Sequence, residues 1–222
     1  MKGATDPAGV GLPADWFEIA PNCLAAGAVD PAPAVRGDPQ VRPLRLFALD
    51  PSARRVEGAV AVASIPYESL APGPAGRVLE VFDYDRDQDR LYAPVDLDDR
   101  VALLGQGFTP SVANFRFHQQ MAYAVAMQTW HAFRSALGRD PCWAVGPDGA
   151  ARPRLRIRPH AFEQANAWFD PASGELQFGY YRSGPEVGGR NQPGGWVFTC
   201  LSHDVLAHET AHALLDGLRP PV

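Results

Sequence analysis

The sequence of 222 residues has few cysteines, no long apolar stretch and no net positive charge, and each of these absences argues against a class of protein. Three cysteines are too few for a disulfide framework or for a zinc site built from cysteines. No stretch approaches the roughly 20 apolar residues of a membrane span, and residues 1–30 lack the apolar core of a secretory signal. The net charge of −5 argues against nucleic acid as a partner. We therefore expect a cytoplasmic protein with neither a membrane nor a nucleic-acid partner.

Glycine and proline are frequent, at 21 and 22 residues, which favours many turns over a bundle of long helices. The first part of the chain is rich in Pro, Gly and Ala and carries one apolar cluster, at Trp16, Phe17 and Ile19. Residues 41–92 change to short apolar runs broken by turn residues, which is typical of strands, and their close spacing predicts antiparallel pairing. We expect residues 1–107 to form an irregular arm followed by a β-rich region.

A long segment without internal proline or glycine begins at Thr109 and Pro110 and ends at Gly138. Threonine is a good helix N-cap, proline is favoured at the first helical position, and glycine is typical of the residue after a helix. Apolar residues recur within the segment at spacings of three and four. The pattern predicts a long, largely buried helix.

The C-terminal half continues with a strand, a hairpin and a second helix. RPRLRIRPHAF predicts the strand, and ANAWFDPASGELQFGYY predicts the hairpin, with turn residues between its arms. TCLSHDVLAHETAHALLDGL predicts a helix with a candidate cap at Thr199 or Ser202 and a stop at Gly217. The predicted fold class is α+β. The β-rich N-terminal region is followed, over residues 108–222, by a long helix, an antiparallel sheet and the final helix.

The final predicted helix contains the pattern H-E-x-x-H, from His208 to His212. Residues four apart lie on one face of a helix, so two imidazoles can bind one tetrahedral metal, for which zinc is the usual choice. Glu209 is rotated by about 100° from His208 and reaches a water on the metal instead of the metal itself. Zinc lowers the pKa of that water to about 7, and the carboxylate takes its proton. The alternative is a buried helix with two hydrogen-bonded histidines.

Other candidate residues have weaker support. Asp216 lies one turn below His212 on the same face, and we expect it either to accept a hydrogen bond from an imidazole N–H or to be a solvated carboxylate. His160 ends a predicted strand and could border the site. His118 and His131 lie on the long predicted helix and are expected to be packing or surface residues.

Four aspartates alternate in DYDRDQD, at positions 83, 85, 87 and 89. A calcium loop would need a turn glycine and a closing glutamate at set offsets, and neither is present. We therefore expect a solvated acidic edge or turn.

This order of segments resembles the upstream half of a zincin catalytic domain, and most closely that of the gluzincins, the thermolysin-like metallopeptidases. The likeness covers residues 108–218. It rests on FHQQMAYAVAMQT, ANAWFDP, LQFGYY and, most specifically, SHDVLAHETAHALLDGL, and it indicates a bacterial, intracellular branch.

The resemblance implies roles for five residues. His208 and His212 bind zinc, and Glu209 is the general base. Asn166 and Ala167, on an edge strand, hold the backbone of the substrate, which is physically sensible because an edge strand offers unpaired N–H and C=O groups to an extended peptide.

The sequence departs from the gluzincin pattern at the third zinc ligand, which gluzincins take from a glutamate on a downstream helix. Only ten residues follow His212, and none is a glutamate. The chain is a piece of a longer protein, or another residue completes the site, or the site is degenerate. We expect the first, with Leu214, Leu215 and Leu218 left exposed or covered by self-association.

The expected function is therefore that of a metallopeptidase with a Zn²⁺ cofactor and a peptide or protein substrate, in a catalytic domain that is incomplete in this chain. The alternative from another class is a non-catalytic binding or interaction protein that retains a zincin-like fold. A third interpretation is an intact hydrolase that acts on a non-peptide substrate.

Overall fold

The computed structural model describes residues 39–52, 59–146, 149–150, 152–184 and 193–218. The apolar cluster expected in the N-terminal arm, at Trp16, Phe17 and Ile19, lies outside these ranges. The described part is an α+β structure, in which three helices pack against short sheets. Its helices are too short or too polar to serve as membrane spans.

The β-rich region begins with an antiparallel hairpin of strands β1 (Val41–Phe47) and β2 (Val60–Pro66). Alternate side chains of these strands are buried, as the period of two predicts for a sheet with one face in the core. Strand β3 (Leu79–Val81) follows, and the two-residue strands β4 (Tyr84–Asp85) and β5 (Arg90–Leu91) pair antiparallel. The antiparallel pairing expected for residues 41–92 is confirmed for these two pairs.

A short helix α1 (Arg100–Leu104) precedes the long helix α2 (Phe115–Leu137). The predicted end of α2 is confirmed, since Gly138 adopts the left-handed conformation with φ of 66°. The predicted start at Thr109 and Pro110 is wrong. The N-cap is Asn114, whose side chain accepts a hydrogen bond from the backbone N–H of Arg116. Every residue from 117 to 127 is buried, so this part of α2 is enclosed on all sides, whereas most residues after Met127 are half-buried or exposed.

The main sheet contains strands β3, β6 (Leu155–Phe162), β8 (Glu175–Arg182) and β7 (Ala167–Asp170) in that spatial order, and β9 (Trp196–Phe198) also pairs with β8. It is not the antiparallel sheet that we expected, because β3–β6 and β6–β8 are parallel. The hairpin of β7 and β8 is antiparallel as predicted. The chain reverses direction between β6 and β7 and again between β7 and β8, so β6 and β8 run in the same direction. Strand β7 lies on the side of β8 away from β6.

One hydrophobic core connects the two regions that the sequence suggested. Leu44, Ile65 and Leu79 pack in the same buried cluster as Met121 of α2 and Phe178 of β8. Strand β3, from the N-terminal region, is hydrogen-bonded to β6 of the C-terminal region. The expected division between residues 107 and 108 thus separates segments that share a sheet and a core.

Helix α3 (His203–Leu218) follows a turn of 3₁₀ helix, Thr199–Leu201. Gly217 lies inside α3 instead of stopping it, and a Cβ atom there would collide with the backbone carbonyl oxygen of Cys142. The glycine therefore permits a close backbone approach. Leu214 is fully buried in the core, contrary to the expectation that it would be exposed, whereas Leu215 is 49% exposed.

Candidate metal centre and edge strand

The two motif histidines lie on the solvent-exposed side of α3. Their Nε2 atoms are 3.0 Å apart and their ring planes are nearly perpendicular, at 89°. Two ligands of one tetrahedral zinc ion, each at about 2.0–2.1 Å from the metal, would be separated by about 3.3 Å. The convergence that the helical spacing predicts is therefore present in the geometry of His208 and His212.

Glu209 points to the neighbouring strand. Its side chain is half-buried, and its Oε2 atom accepts a hydrogen bond from the backbone N–H of Phe169 at 3.1 Å. Phe169 belongs to β7, and α3 packs against this strand. The carboxylate is therefore held between the helix that carries the histidines and the edge of the sheet.

Strand β7 pairs with β8 and with no other strand of the described ranges, which makes it an edge strand. Ala167 is its first residue and Asn166 immediately precedes it. The side-chain Oδ1 of Asn166 accepts the backbone N–H of Ala167, and its carbonyl oxygen accepts the N–H of Gly179. The two outward N–H groups of β7, at Ala167 and Phe169, are therefore hydrogen-bonded to side chains.

Two further polar residues of α3, Asp216 and His203, do not join the histidine pair. Asp216 is half-buried and, in the described ranges, forms no hydrogen bond with either imidazole. His203 begins α3, and its Nδ1 is 3.7 Å from the Oδ1 of Asp204. Within the described part of the chain, no third His, Cys, Asp or Glu side chain completes a set of three with the pair.

His160 belongs instead to a buried hydrogen-bonded chain. Its Nδ1 contacts Oδ1 and Oδ2 of Asp83 at 2.9 and 3.0 Å, and its Nε2 lies 2.8 Å from Nδ1 of His118. The Nε2 of His118 lies 3.0 Å from the carbonyl oxygen of Val112. Burial, followed by the charge of His160, lowers the pKa of the His118 imidazole well below its usual value.

The acidic run was expected to be solvated, and this is wrong for two of its four members. Asp83 is 4% exposed and Asp85 is fully buried, whereas Asp87 and Asp89 are exposed. Asp85 accepts the phenol O–H of Tyr180 at 2.6 Å. Burial, followed by this hydrogen bond to Asp85, raises the pKa of the Tyr180 hydroxyl.

Cys200 lies beside the two buried histidines. Its thiol is fully buried, and its Sγ belongs to a set of three ligand atoms, with one nitrogen each from His118 and His160, that lie within 4.8 Å of one another. Burial, followed by the charge of Asp83, raises the pKa of this thiol well above its usual value.

Aromatic rings separate this cluster from a surface cavity of about 380 Å³. Phe115 and Phe198 contact both imidazoles, and Tyr92 and Tyr180 contact His160. The same four rings form part of the cavity wall, together with Trp196 and four polar or charged residues. Sequence reasoning missed this cluster. The signal available was the polar triplet HQQ next to the apolar run MAYAVAM, because buried polar side chains need hydrogen-bond partners and all three are buried.

Comparison of the chain with protein-family models and with curated proteins gives no match. The candidate sites therefore rest on the chemistry and geometry of the residues themselves.

Proposed function

We propose that the chain carries the zinc-binding helix of a metallopeptidase and acts in the hydrolysis of peptide bonds. The observation that carries the proposal is the position of three side chains on α3. The Nε2 atoms of His208 and His212 converge at 3.0 Å on the solvent side, and Glu209 is fixed one residue away against an edge strand. This combination suits a metal ion, a proton acceptor and an extended substrate at one place.

Two imidazole nitrogens fit zinc as borderline-soft ligands, but catalytic zinc sites use three protein ligands. We propose that the third ligand comes from outside the described residues. The pair alone should hold Zn²⁺ much more weakly than a complete three-ligand site. When bound, zinc would supply Lewis acidity to the scissile carbonyl and to the attacking water.

Glu209 is the proposed proton carrier. Before substrate binds, the N–H of Phe169 holds Oε2 and keeps the carboxylate beside the strand. A substrate strand that takes this N–H would free the carboxylate to take the proton from the attacking water and deliver it to the leaving amine. Such positioned proton transfer contributes about 10²–10⁴-fold to a rate.

The edge strand β7 is the proposed binding place for the peptide backbone. A substrate strand would pair with the outward side of β7. Its carbonyl oxygens would replace the side-chain oxygens that now accept the N–H groups of Ala167 and Phe169. Leu215, at 49% exposed, lies on the same face of α3 as His208 and His212. It offers an apolar contact for a substrate side chain or for a second copy of the chain.

Calorimetric titration of the 222-residue protein with zinc tests the metal assignment. We expect one weak binding event, separate from any zinc held elsewhere in the protein, that His208→Ala and His212→Ala abolish. His203→Ala is the matched control because its imidazole lies outside the pair. Tight one-to-one binding lost in His208→Ala would mean that this chain supplies its own third ligand. A His208→Ala titration identical to that of the wild type would overturn the assignment and favour the alternative, a non-catalytic binding protein.

A further inference from the structure

The hydrogen-bonded chain Asp83–His160–His118 contains a mismatch that a cation would resolve. The Nδ1 of His160 faces the two carboxylate oxygens of Asp83, which only accept, so this nitrogen must carry a hydrogen. The Nε2 of His118 faces the carbonyl oxygen of Val112, so it must carry one too. In the neutral rings, the two remaining nitrogens then present lone pairs to each other at 2.8 Å.

Two lone pairs cannot be hydrogen-bonded to each other, and both rings are fully buried. Bulk water therefore cannot reach the contact, and two unsatisfied polar atoms in a core lower the stability of the fold. This hydrogen-bonded network needs a positive charge between Nδ1 of His118 and Nε2 of His160, either a proton or a metal ion.

The third ligand atom favours a metal ion. The Sγ of Cys200 lies within 4.8 Å of one ring nitrogen of each histidine. A proton bridge between the imidazoles would not need a thiol at this point. Tetrahedral zinc would hold the nitrogens about 3.3 Å apart, at Zn–N distances of about 2.0–2.1 Å. This is about half an ångström wider than the present 2.8 Å. Zinc-bound thiols are deprotonated outright, so the buried thiol would bind as a thiolate.

The outer partners of the cluster are those that metal-binding histidines use. A ligating imidazole almost always donates its other N–H to a carboxylate or a backbone carbonyl, and Asp83 and Val112 provide one of each. The charges also balance, because the carboxylate of Asp83 and a thiolate at Cys200 together neutralise a divalent cation. The rings of Phe115 and Phe198 close the cluster against solvent.

We propose that His118, His160 and Cys200 form a second, buried zinc site with three protein ligands, distinct from the exposed histidine pair on α3. The ion would join α2, β6 and the 3₁₀ turn Thr199–Leu201, which leads directly into α3. A structural metal contributes its binding free energy to folding. The site would therefore fix the start of the helix that carries His208 and His212, and this inference does not depend on what that pair does.

Cobalt substitution of the full chain tests the proposal on the unmodified protein. Co²⁺ in the buried site should show a sulfur-to-cobalt charge-transfer band, because Cys200 is a ligand there, whereas the exposed pair has no sulfur ligand. Cys200→Ser should remove the band and one equivalent of bound metal. His208→Ala, the matched control, should leave the band intact. Asp83→Asn should keep the band and weaken metal binding by about 10–100-fold.

A second measurement covers the case in which Cys200→Ser does not fold. X-ray absorption at the zinc edge of the wild-type protein should show a sulfur neighbour at about 2.3 Å. Each of three results would overturn the proposal. These are bound cobalt or zinc without a sulfur neighbour, a charge-transfer band that survives Cys200→Ser, and a wild-type protein that binds no metal. A proton shared between the imidazoles, with Asp83 as counter-ion, would then be the bridging charge.

Discussion

Glu209 and Phe169 are joined by a hydrogen bond of 3.1 Å between a carboxylate oxygen of α3 and a backbone N–H of β7. The bond connects the helix with the histidine pair to the edge of the main sheet. It also occupies a donor that an incoming peptide strand would need. If a peptide pairs with β7 as we propose, its binding would release one oxygen of Glu209.

Glu209→Gln should abolish peptide hydrolysis in a protein with a complete site and leave zinc affinity nearly unchanged. The glutamine oxygen can still accept the N–H of Phe169, but the amide cannot take a proton from water, so the rate should fall about 10²–10⁴-fold. Cleavage of a fluorogenic peptide mixture and calorimetric zinc titration are the measurements. Asp204→Asn, almost fully exposed on the same helix, is the control. Hydrolysis that survives Glu209→Gln would remove the proposed role.

Tyr180→Phe should lower the free energy of unfolding by about 1.5–3 kcal/mol, because the buried side chain of Asp85 loses a hydrogen-bond donor. Tyr180 is 6% exposed and donates to the fully buried Asp85. Tyr84→Phe is the matched control, since its O–H contacts Asp89 at the surface and should change stability by less than about 0.5 kcal/mol. Urea denaturation measures both. Equal losses of unfolding free energy in Tyr180→Phe and Tyr84→Phe would show that burial of Asp85 does not strengthen its hydrogen bond.

Asp98→Asn should destabilise the protein at neutral pH by about 3 kcal/mol, because it leaves the buried guanidinium of Arg42 without its carboxylate. Burial raises the pKa of Asp98, but the N–H of Leu70 and the guanidinium of Arg42 outweigh it and lower the net pKa. A depressed folded pKa gives stability that is present above the unfolded pKa of about 3.9 and is lost as pH falls through the folded value.

The difference between wild type and Asp98→Asn should therefore be constant from neutral pH to about pH 5 and shrink below about pH 4. Denaturant titrations across this range measure it. Glu163→Gln, an exposed carboxylate, is the control and should show no such dependence. A difference that stays constant down to pH 2 would contradict the ion-pair origin.

Gly217→Ala should destabilise the protein by about 1–3 kcal/mol through overpacking. At an open helical position the same change would stabilise by about 1 kcal/mol, but here the new Cβ would meet the carbonyl oxygen of Cys142. Leu215→Ala, on the exposed side of the same helix, is the comparison. A rise in the thermal unfolding midpoint of Gly217→Ala would show that α3 can move away from the backbone at Cys142 without loss of stability.

Self-association through α3, if it occurs, should depend on Leu215, because Leu214 is buried within the chain. Leu215→Ser should then weaken a dimer about tenfold or more, since burying a leucine is worth about 1.5–3 kcal/mol. Leu104→Ser, at a position 79% exposed on α1, should not change it. Sedimentation equilibrium over a range of concentrations is the measurement. A dimer unaffected by Leu215→Ser would locate the interface elsewhere.

Local features of the structure were predictable from the sequence. The hairpin of β7 and β8 follows from the turn residues between its arms, where Asp170 accepts the N–H of Ala172 and Gly174 has φ of 69°. The end of α2 at Gly138 followed from the same kind of short-range chemistry. The start of α2 was not predictable in this way, because Thr109, Pro110 and Asn114 all suit a helix N-terminus and only the folded chain selects one of them.

The sequence by itself determined that His208 and His212 lie on one face of a helix, because residues four apart in an α-helix share a face whatever surrounds it. Tertiary structure alone decided that this face is exposed, and that Glu209 meets Phe169. It also decided that Asp83, His118, His160 and Cys200 meet in the core. These four residues are separated by tens of positions, and which polar groups become buried together depends on strand order and helix packing, which no local pattern encodes.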